Sequence, residues 1–220
     1  MRALLHPSSL PHVPSRDHYE ALWEELPSGL QPAHLQLRRR FLLDRVRPGQ
    51  RLLDVGCGEG LFAGALLQAG LQVVAVDVAD AALRRARERV AGLDARLIPF
   101  TGSWPLEDAS FDVVWSGETI EHVADTAPWL AEIRRVLRPG GRLLLTTPNH
   151  GPLTRLSLAL SSRAFERHFD PLGEHLRFYT RRSLTGLLHG LGFPEAHVFH
   201  PFWPPAARAV LFADAVPAPW

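Results

Sequence analysis

Residues 51–60 read Arg-Leu-Leu-Asp-Val-Gly-Cys-Gly-Glu-Gly, RLLDVGCGEG: a short apolar run, an acid at Asp54, and glycines at Gly56, Gly58 and Gly60. The run reads as a buried strand, and the next ten residues, LFAGALLQAG (61–70), read as a helix that stops at Gly70. Glycine lets the backbone turn sharply and come close to a ligand with no side chain between them. Strand, glycine turn and helix form a nucleotide-type cofactor site, with free N–H groups at the helix start facing a negative group. The same device serves dinucleotides, but there the spacing is G-x-G-x-x-G, and position 61 is Leu. An acid two residues before the turn also suits a cationic ligand better than a pyrophosphate.

Working outward, LQVVAVD (71–77) is a second buried strand, and Asp77 at its carboxyl end stands where a ribose diol would be gripped by a carboxylate. ADAALRRARERVAGL (79–93) reads as a helix with Arg84, Arg85, Arg87 and Arg89 toward solvent. ARLIPF (95–100), FDVVWS (111–116) and GRLLLTTP (141–148) read as three more strands, and APWLAEIRRVLRPGG (127–141) as the helix between the last two. Apolar strands alternating with amphipathic helices predict an α/β fold, a parallel sheet covered on both faces. Upstream, Tyr19, Leu22, Trp23 and Leu26, then Leu35, Phe41 and Leu42, mark two amphipathic helices between Asp17 and about Val46. Residues 1–15 are rich in Pro, Ser and His and read as loosely ordered. Downstream of 148 the pattern is less regular: RRSLTGLLHGLGF (181–193) reads as a helix, with EAHVFHPFW (195–203) and ARAVLFAD (207–214) as closing strands.

The chain's 220 residues, 46% hydrophobic, suit one globular domain. Its 24 basic residues nearly cancel 23 acidic ones, so no bulk field draws it to nucleic acid or anionic membrane. Every basic residue is Arg; the absence of Lys excludes Schiff-base chemistry and the P-loop lysine. Cys57 is the single cysteine, so there is neither a disulfide framework nor a cysteine zinc cluster, and a reducing, cytoplasmic setting is expected. Between two glycines, Cys57 reads as a small buried filler rather than a nucleophile. The apolar run at the start is too short for a signal peptide, and no stretch reaches the roughly 20 residues that span a bilayer.

Four stretches in order, LLDVGCGEG, VVAVDVAD, PLEDASFDVVWSGETIEHV and LRPGGRLLLTTPN, resemble the class I S-adenosylmethionine-dependent methyltransferases over about residues 47–149. The resemblance implies a Rossmann-like, seven-stranded sheet with six parallel strands and one reversed near the end, and S-adenosyl-L-methionine as cofactor. It implies that Gly56, Gly58 and Gly60, with Cys57 in the same turn and Asp54 before it, wrap the methionine part, that Asp77 holds the ribose, and that Val78 flanks the adenine. The family usually places an acid before its LPF segment; here Gly102 and Ser103 occupy that place. Ser116, closing the fourth strand, completes the cofactor set. A lid segment (1–46), a single methyltransferase domain (47–220) and an acceptor side in 148–220 are implied by the same pattern.

SGETIEHV (116–123) sets Glu118, Glu121 and His122 at i, i+3 and i+4, one face if the segment is helical. That could be a helix start, an acid/base pair of Glu121 and His122, or a metal site. Glu-His at this place recurs in the superfamily without metal. Glu118 completes E-x-x-E-H, which is similar to ubiquinone-pathway O-methyltransferases and to the metal-dependent 2′-O-methyltransferases of small-RNA 3′ ends. In the RNA enzymes a second histidine precedes an aromatic and a Thr-Arg helix start; EHLRFYTRRSL puts His175 there. The resemblance thus offers Glu118, Glu121, His122 and His175 as ligands of a divalent metal. Two carboxylates and two imidazoles suit Mn²⁺, Fe²⁺, Co²⁺ or Zn²⁺ better than Mg²⁺.

His150 and His168 lie near the same rim. Tyr19 and Trp23, one turn apart, either lid the cofactor or pack on the sheet. Trp23, Phe165, Phe178, Phe202 and Trp203 point to an apolar acceptor pocket. The leading expectation is methyl transfer to an oxygen of a small molecule. RNA is the alternative partner, with Arg38-Arg39-Arg40 and Arg181-Arg182 as its basic patches. A nicotinamide-dependent oxidoreductase is opposed by the glycine spacing and the missing second mononucleotide half.

Overall fold

The computed structural model describes residues 15–170, 173–200 and 209–219, so residues 1–14, Phe202 and Trp203 lie outside the described residues. Two helices, α1 (Arg16–Glu25) and α2 (Leu35–Leu43), precede β1 (Arg51–Val55), α3 (Ala63–Gln68), β2 (Gln72–Asp77), α4 (Asp80–Arg89) and β3 (Asp94–Leu97). Next come β4 (Phe111–Gly117), a 3₁₀ turn at Ile120–His122, α5 (Thr126–Val136), β5 (Leu137–Pro148), α6 (Pro152–Ala159), α7 (Ser162–His168), α8 (Arg181–Gly190), β6 (Glu195–Phe199) and β7 (Val210–Val216).

The seven strands form one sheet in the order β3-β2-β1-β4-β5-β7-β6. β1 pairs in parallel with β2 and β4, β2 with β3, and β4 with β5, while β7 runs antiparallel to both β5 and β6. Six strands therefore share a direction and β7 is reversed, as the resemblance implied. The order turns at β1 and β4, and the crevice beyond their carboxyl ends is where such sheets bind ligands.

The period-2 geometry of strands sends neighbouring residues to opposite faces, and both faces are dry. Leu53, Val55, Val74 and Val76 enter one core with Leu130, Ile133 and Leu184. Leu52, Val73, Ala75 and Trp115 enter the other with Phe41, Leu42 and Phe62. Trp115 is fully buried, its ring 5.0 Å from Phe62 and 6.3 Å from Phe41. Truncating it would cost about 3–5 kcal/mol. α2 is thus part of the core.

Several elements are shorter than the sequence reading, α4 ending at Arg89, α8 at Gly190 and β3 at Leu97, and one difference changes the sheet. α5 ends at Val136 instead of running to Gly141, because Leu137 already pairs with Phe111 in the sheet. A bulge then restores register at Val113 and Arg142. Pro139 has no N–H for a helix, and a Cβ at Gly141 would lie 2.9 Å from the Arg138 carbonyl oxygen.

Candidate active site

The carboxyl ends of β1, β2 and β4 open onto a cavity of about 460 Å³, lined among others by Gly56, Asp77, Val78, Ile98, Thr119 and His122. Gly56 has φ +72, and a Cβ there would come within 2.4 Å of the Thr119 hydroxyl oxygen. The turns after β1 and β4 can touch because residue 56 has no side chain. Gly58, at φ +53, is covered by the Trp23 ring, 2.7 Å from where its Cβ would be. Tyr19, Leu22 and Trp23 of α1 line the cavity.

Helix α1 has a specific anchor. The Glu20 carboxylate accepts the N–H of Asp80 (2.6 Å) and of Ala81 (2.9 Å). These are orphan donors at the start of α4, whose own N-cap, Ala79, has no side chain to offer. Arg84 adds ion pairs to Glu20 and Glu24, and Arg85 sits 6.0 Å over the Trp23 ring.

Two buried carboxylates flank the glycine turn. Asp77 accepts from the Gly58 N–H (2.9 Å) and the Ala79 N–H (3.1 Å). Burial raises its carboxyl above the usual range and these N–H groups oppose the rise. Asp54 is 1% exposed, with Oδ2 lacking a partner. Burial, and then the charge of Asp77, push it up to about 7. Among the described residues that line the cavity there is no arginine.

Other expected cofactor residues divide. Val78 and Gly102 line the cavity; Ser103 is exposed and outside that lining, and Ser116 is sealed inside with a hydroxyl that has no partner. Gly60 faces α4, its Cβ position 3.2 Å from that of Ala86. The Cys57 thiol is buried, donates to the Gly58 carbonyl (3.6 Å) and is held protonated by burial, which fits a filler.

The helical face expected for Glu118, Glu121 and His122 is not formed. β4 continues through Gly117, and Glu118 takes a left-handed φ of 57, its N–H bonded to the Thr146 carbonyl (2.9 Å). Its carboxylate turns to Arg38, 3.9 Å away. Glu121 and His122 sit in the 3₁₀ turn. Glu121 is 1% exposed, with Oε2 accepting the Thr147 hydroxyl (2.9 Å) and Oε1 without a partner. Its backbone carbonyl accepts the N–H groups of Leu176 (2.9 Å) and Arg177 (3.1 Å). That docking carries in His175, whose ring lies 4.8 Å from that of His122.

Ligand atoms of Glu121, His122 and His175 consequently lie within 4.8 Å of one another, so three of the four expected metal ligands come together. One carboxylate with two imidazoles is a donor set that could hold a borderline divalent ion. His122 Nδ1 is 3.1 Å from the Glu174 carbonyl oxygen. A carbonyl only accepts, so Nδ1 carries the hydrogen and Nε2 holds a lone pair. Burial, then His175, lower His122 to about 4, which keeps it neutral at physiological pH. Burial and the neighbouring Glu118 raise Glu121.

The pattern of a methyltransferase-domain family matches residues 53–145. The ubiquinone biosynthesis O-methyltransferase of Xanthomonas campestris is 33% identical over 174 residues, covering 74% of this chain and 72% of that protein. The chain belongs to the class I S-adenosylmethionine-dependent methyltransferases. The malonyl-[acyl-carrier protein] O-methyltransferase of Erwinia pyrifoliae is 37% identical over 131 residues, 57% of this chain and 50% of that protein. Against some curated relatives the chain spans still less, 37% of one transposon-encoded protein of Streptomyces fradiae. Among solved structures, phosphoethanolamine N-methyltransferase 2 of Haemonchus contortus matches with a TM-score of 0.67 at 21% identity, over 92% of this chain and 57% of that one.

Several residues of this methyltransferase site carry no sequence signal. Arg38, expected in a solvated patch, is 2% exposed: Nη2 donates to the Ala33 carbonyl (3.0 Å), the guanidinium lies 5.7 Å from the Phe62 ring, and Nε has no partner. It is the buried cation facing Glu118. Glu174 lines both the main cavity and a second one of about 340 Å³ bounded by Arg167, His168, Asp170, Gly173 and His175. His150 and His168 meet at 2.8 Å between their Nε2 atoms, against Phe169 and Phe178, and line no part of the main cavity. Phe165 is half exposed and lines neither cavity.

Proposed function

We propose that this chain transfers the methyl group of S-adenosyl-L-methionine to an oxygen of a small-molecule acceptor, with His122 as the base. The observation that carries it is the pair of buried carboxylates at the glycine turn, Asp77 in the cavity lining and Asp54 behind it, with no arginine among the described residues of that lining. A pyrophosphate would be repelled there, and a ligand bearing an ammonium and a sulfonium is attracted. When bound, the donor supplies an electrophilic methyl carbon that an oxygen displaces in line from sulfur.

The chain's own residues do the rest. Tyr19, Leu22 and Trp23 close over the cavity and exclude water. Asp77 holds the ribose hydroxyls, with Val78 and Ile98 as apolar walls. His122 Nε2 takes the acceptor's proton while Nδ1–H stays on the Glu174 carbonyl, which orients the ring. Relatives named for transfer to oxygen support the choice of acceptor atom.

The test is calorimetry with S-adenosylhomocysteine and with NAD, then turnover on a panel of phenols and catechols. Binding of the homocysteine nucleoside alone, with methylation of a hydroxyl, is the expected result. Binding of NAD in its place would overturn the reading.

The convergence of Glu121, His122 and His175 favours a second, metal-assisted form of the same transfer. A divalent ion held there would polarise the acceptor oxygen. The RNA-end alternative draws on this cluster too, although Arg38 is withdrawn from the basic face it would need. Metal analysis of the purified protein, with activity before and after chelation, separates the forms. Full activity in excess chelator excludes the ion.

A further inference from the structure

Helices α6 and α7 bury no residue. Of the eight large hydrophobic side chains exposed among the described residues, four fall on this helix pair and its junction: Leu153 (72%), Leu156 (55%), Leu160 (78%) at the α6 C-cap, and Phe165 (51%). At 3.6 residues per turn Leu153, Leu156 and Leu160 share one narrow stripe of α6, while the half-buried Thr154 and Leu158 turn inward. A stripe of leucines that the fold leaves uncovered marks an interaction surface.

The charge around it narrows the partner. Between Pro152 and Phe169 the chain has Arg155, Arg163 and Arg167 against the single acid Glu166. Arg155 and Arg163 make no ion pair among the described residues. The net charge of +1 for the whole chain hides this local excess. We propose that the outer face of α6 and α7 docks on the surface of an anionic lipid membrane. A short amphipathic helix with leucines on one side and arginines around it lies in the headgroup plane; it does not span. No helix among the described residues is long and apolar enough to cross a membrane.

The helix pair is fixed relative to the site. His150 immediately precedes α6, and its Nδ1 donates to the Tyr179 carbonyl (3.3 Å) while Nε2 meets His168 of α7 (2.8 Å). Arg167 and His168 border the second cavity beside His175. A docked face thus sets the acceptor side of the molecule toward the bilayer. The surface assignment goes beyond methyl transfer and stands apart from it.

The test is co-sedimentation of the full chain with vesicles of phosphatidylcholine alone and of phosphatidylcholine mixed with phosphatidylglycerol. Binding to the mixed vesicles is expected, and the triple variant Leu153→Ser, Leu156→Ser, Leu160→Ser should lower it by at least about tenfold. Arg155→Gln with Arg163→Gln should lower binding to the mixed vesicles by about tenfold and leave pure phosphatidylcholine unaffected. Parental circular dichroism and S-adenosylhomocysteine affinity show that each variant is folded. Equal vesicle binding by the triple-serine variant, or none by the parent, overturns the assignment. A parent that dimerises in sedimentation equilibrium, with a monomeric triple variant, gives the face to a second copy instead.

Discussion

Replacing Asp54 by Asn should stabilise the protein at neutral pH and weaken the donor site together. Asp54 is 1% exposed, and burial followed by the nearby Asp77 charge lifts its carboxyl from an ordinary 3.8 to about 7. Its folded-state value therefore lies above its unfolded one. Below pH ~4 both states hold the proton and burial of the acid carries no ionic penalty. As pH rises through the interval up to about 7, the unfolded chain ionises first and stability falls at about 1.4 kcal/mol per pH unit. Above 7 the loss levels off at roughly 4 kcal/mol. Asn does not titrate, so this loss is absent in the variant. A buried amide short of partners costs about 1–3 kcal/mol, but that offset does not change with pH. The stability gap between variant and parent should therefore widen by roughly 2–3 kcal/mol from pH 5 to pH 8, about 1 M in urea midpoint. Urea unfolding at the two pH values measures it. Calorimetry should show S-adenosylhomocysteine binding weakened by about 10–100-fold, the worth of a hydrogen bond to a charged group. A gap that does not change with pH would refute the argument that Asp54 is a destabilised acid kept for the ligand.

His122→Asn should lower kcat by about 10²–10⁴-fold and leave S-adenosylhomocysteine affinity nearly unchanged. Because the base must be neutral and its imidazole titrates near 4, parental kcat/KM should hold on the acid side until pH approaches 4, and a fall centred at 6.5 would count against His122. Glu20→Ala removes both acceptors at the start of α4 and should cost about 1 kcal/mol in thermal unfolding. It should also loosen donor binding severalfold, since α1 lines the cavity; an unchanged affinity would mean that α1 is held by Trp23 and its other contacts.

The parts of this fold that could be read from sequence are those whose signal is local. RLLDV and QVVAVD are buried on both faces, so nearly every residue is apolar and the strands announce themselves. Glycine at 56 and 58 is demanded by φ and by contacts that a Cβ would violate, so the turn is written in residue type. What escaped depends on partners from distant segments. Arg38 sits inside an Arg-Arg-Arg run that reads as solvated, and only Glu118, Ala33 and Phe62 make it a core residue. Glu20 caps a helix that begins far along the chain, and no spacing rule links the two. Glu118 defeats the i, i+3, i+4 reading because it takes a positive φ itself, which takes it out of helical register with the 3₁₀ turn that holds Glu121 and His122.

The electrostatics of the site explain why these misses cluster around the chemistry. Asp54, Asp77, Glu118 and Glu121 are all lifted by burial, and among the described residues Arg38 is the one buried arginine, opposite Glu118. Burying several acids against one cation is unfavourable unless a positive ligand completes the set. A fold selected only for stability would fill those positions with apolar side chains. Asp77 keeps its two backbone donors, which favour its charged form, whereas one oxygen each of Asp54, Glu118 and Glu121 accepts no hydrogen bond. The unmatched oxygens therefore divide between two places. One lies on Asp54 at the glycine turn, where a cationic donor would offset it under the proposed function. The Glu118 oxygen faces Arg38 at 3.9 Å, and that of Glu121 lies beside His122, where the acceptor's proton or a divalent ion would offset it.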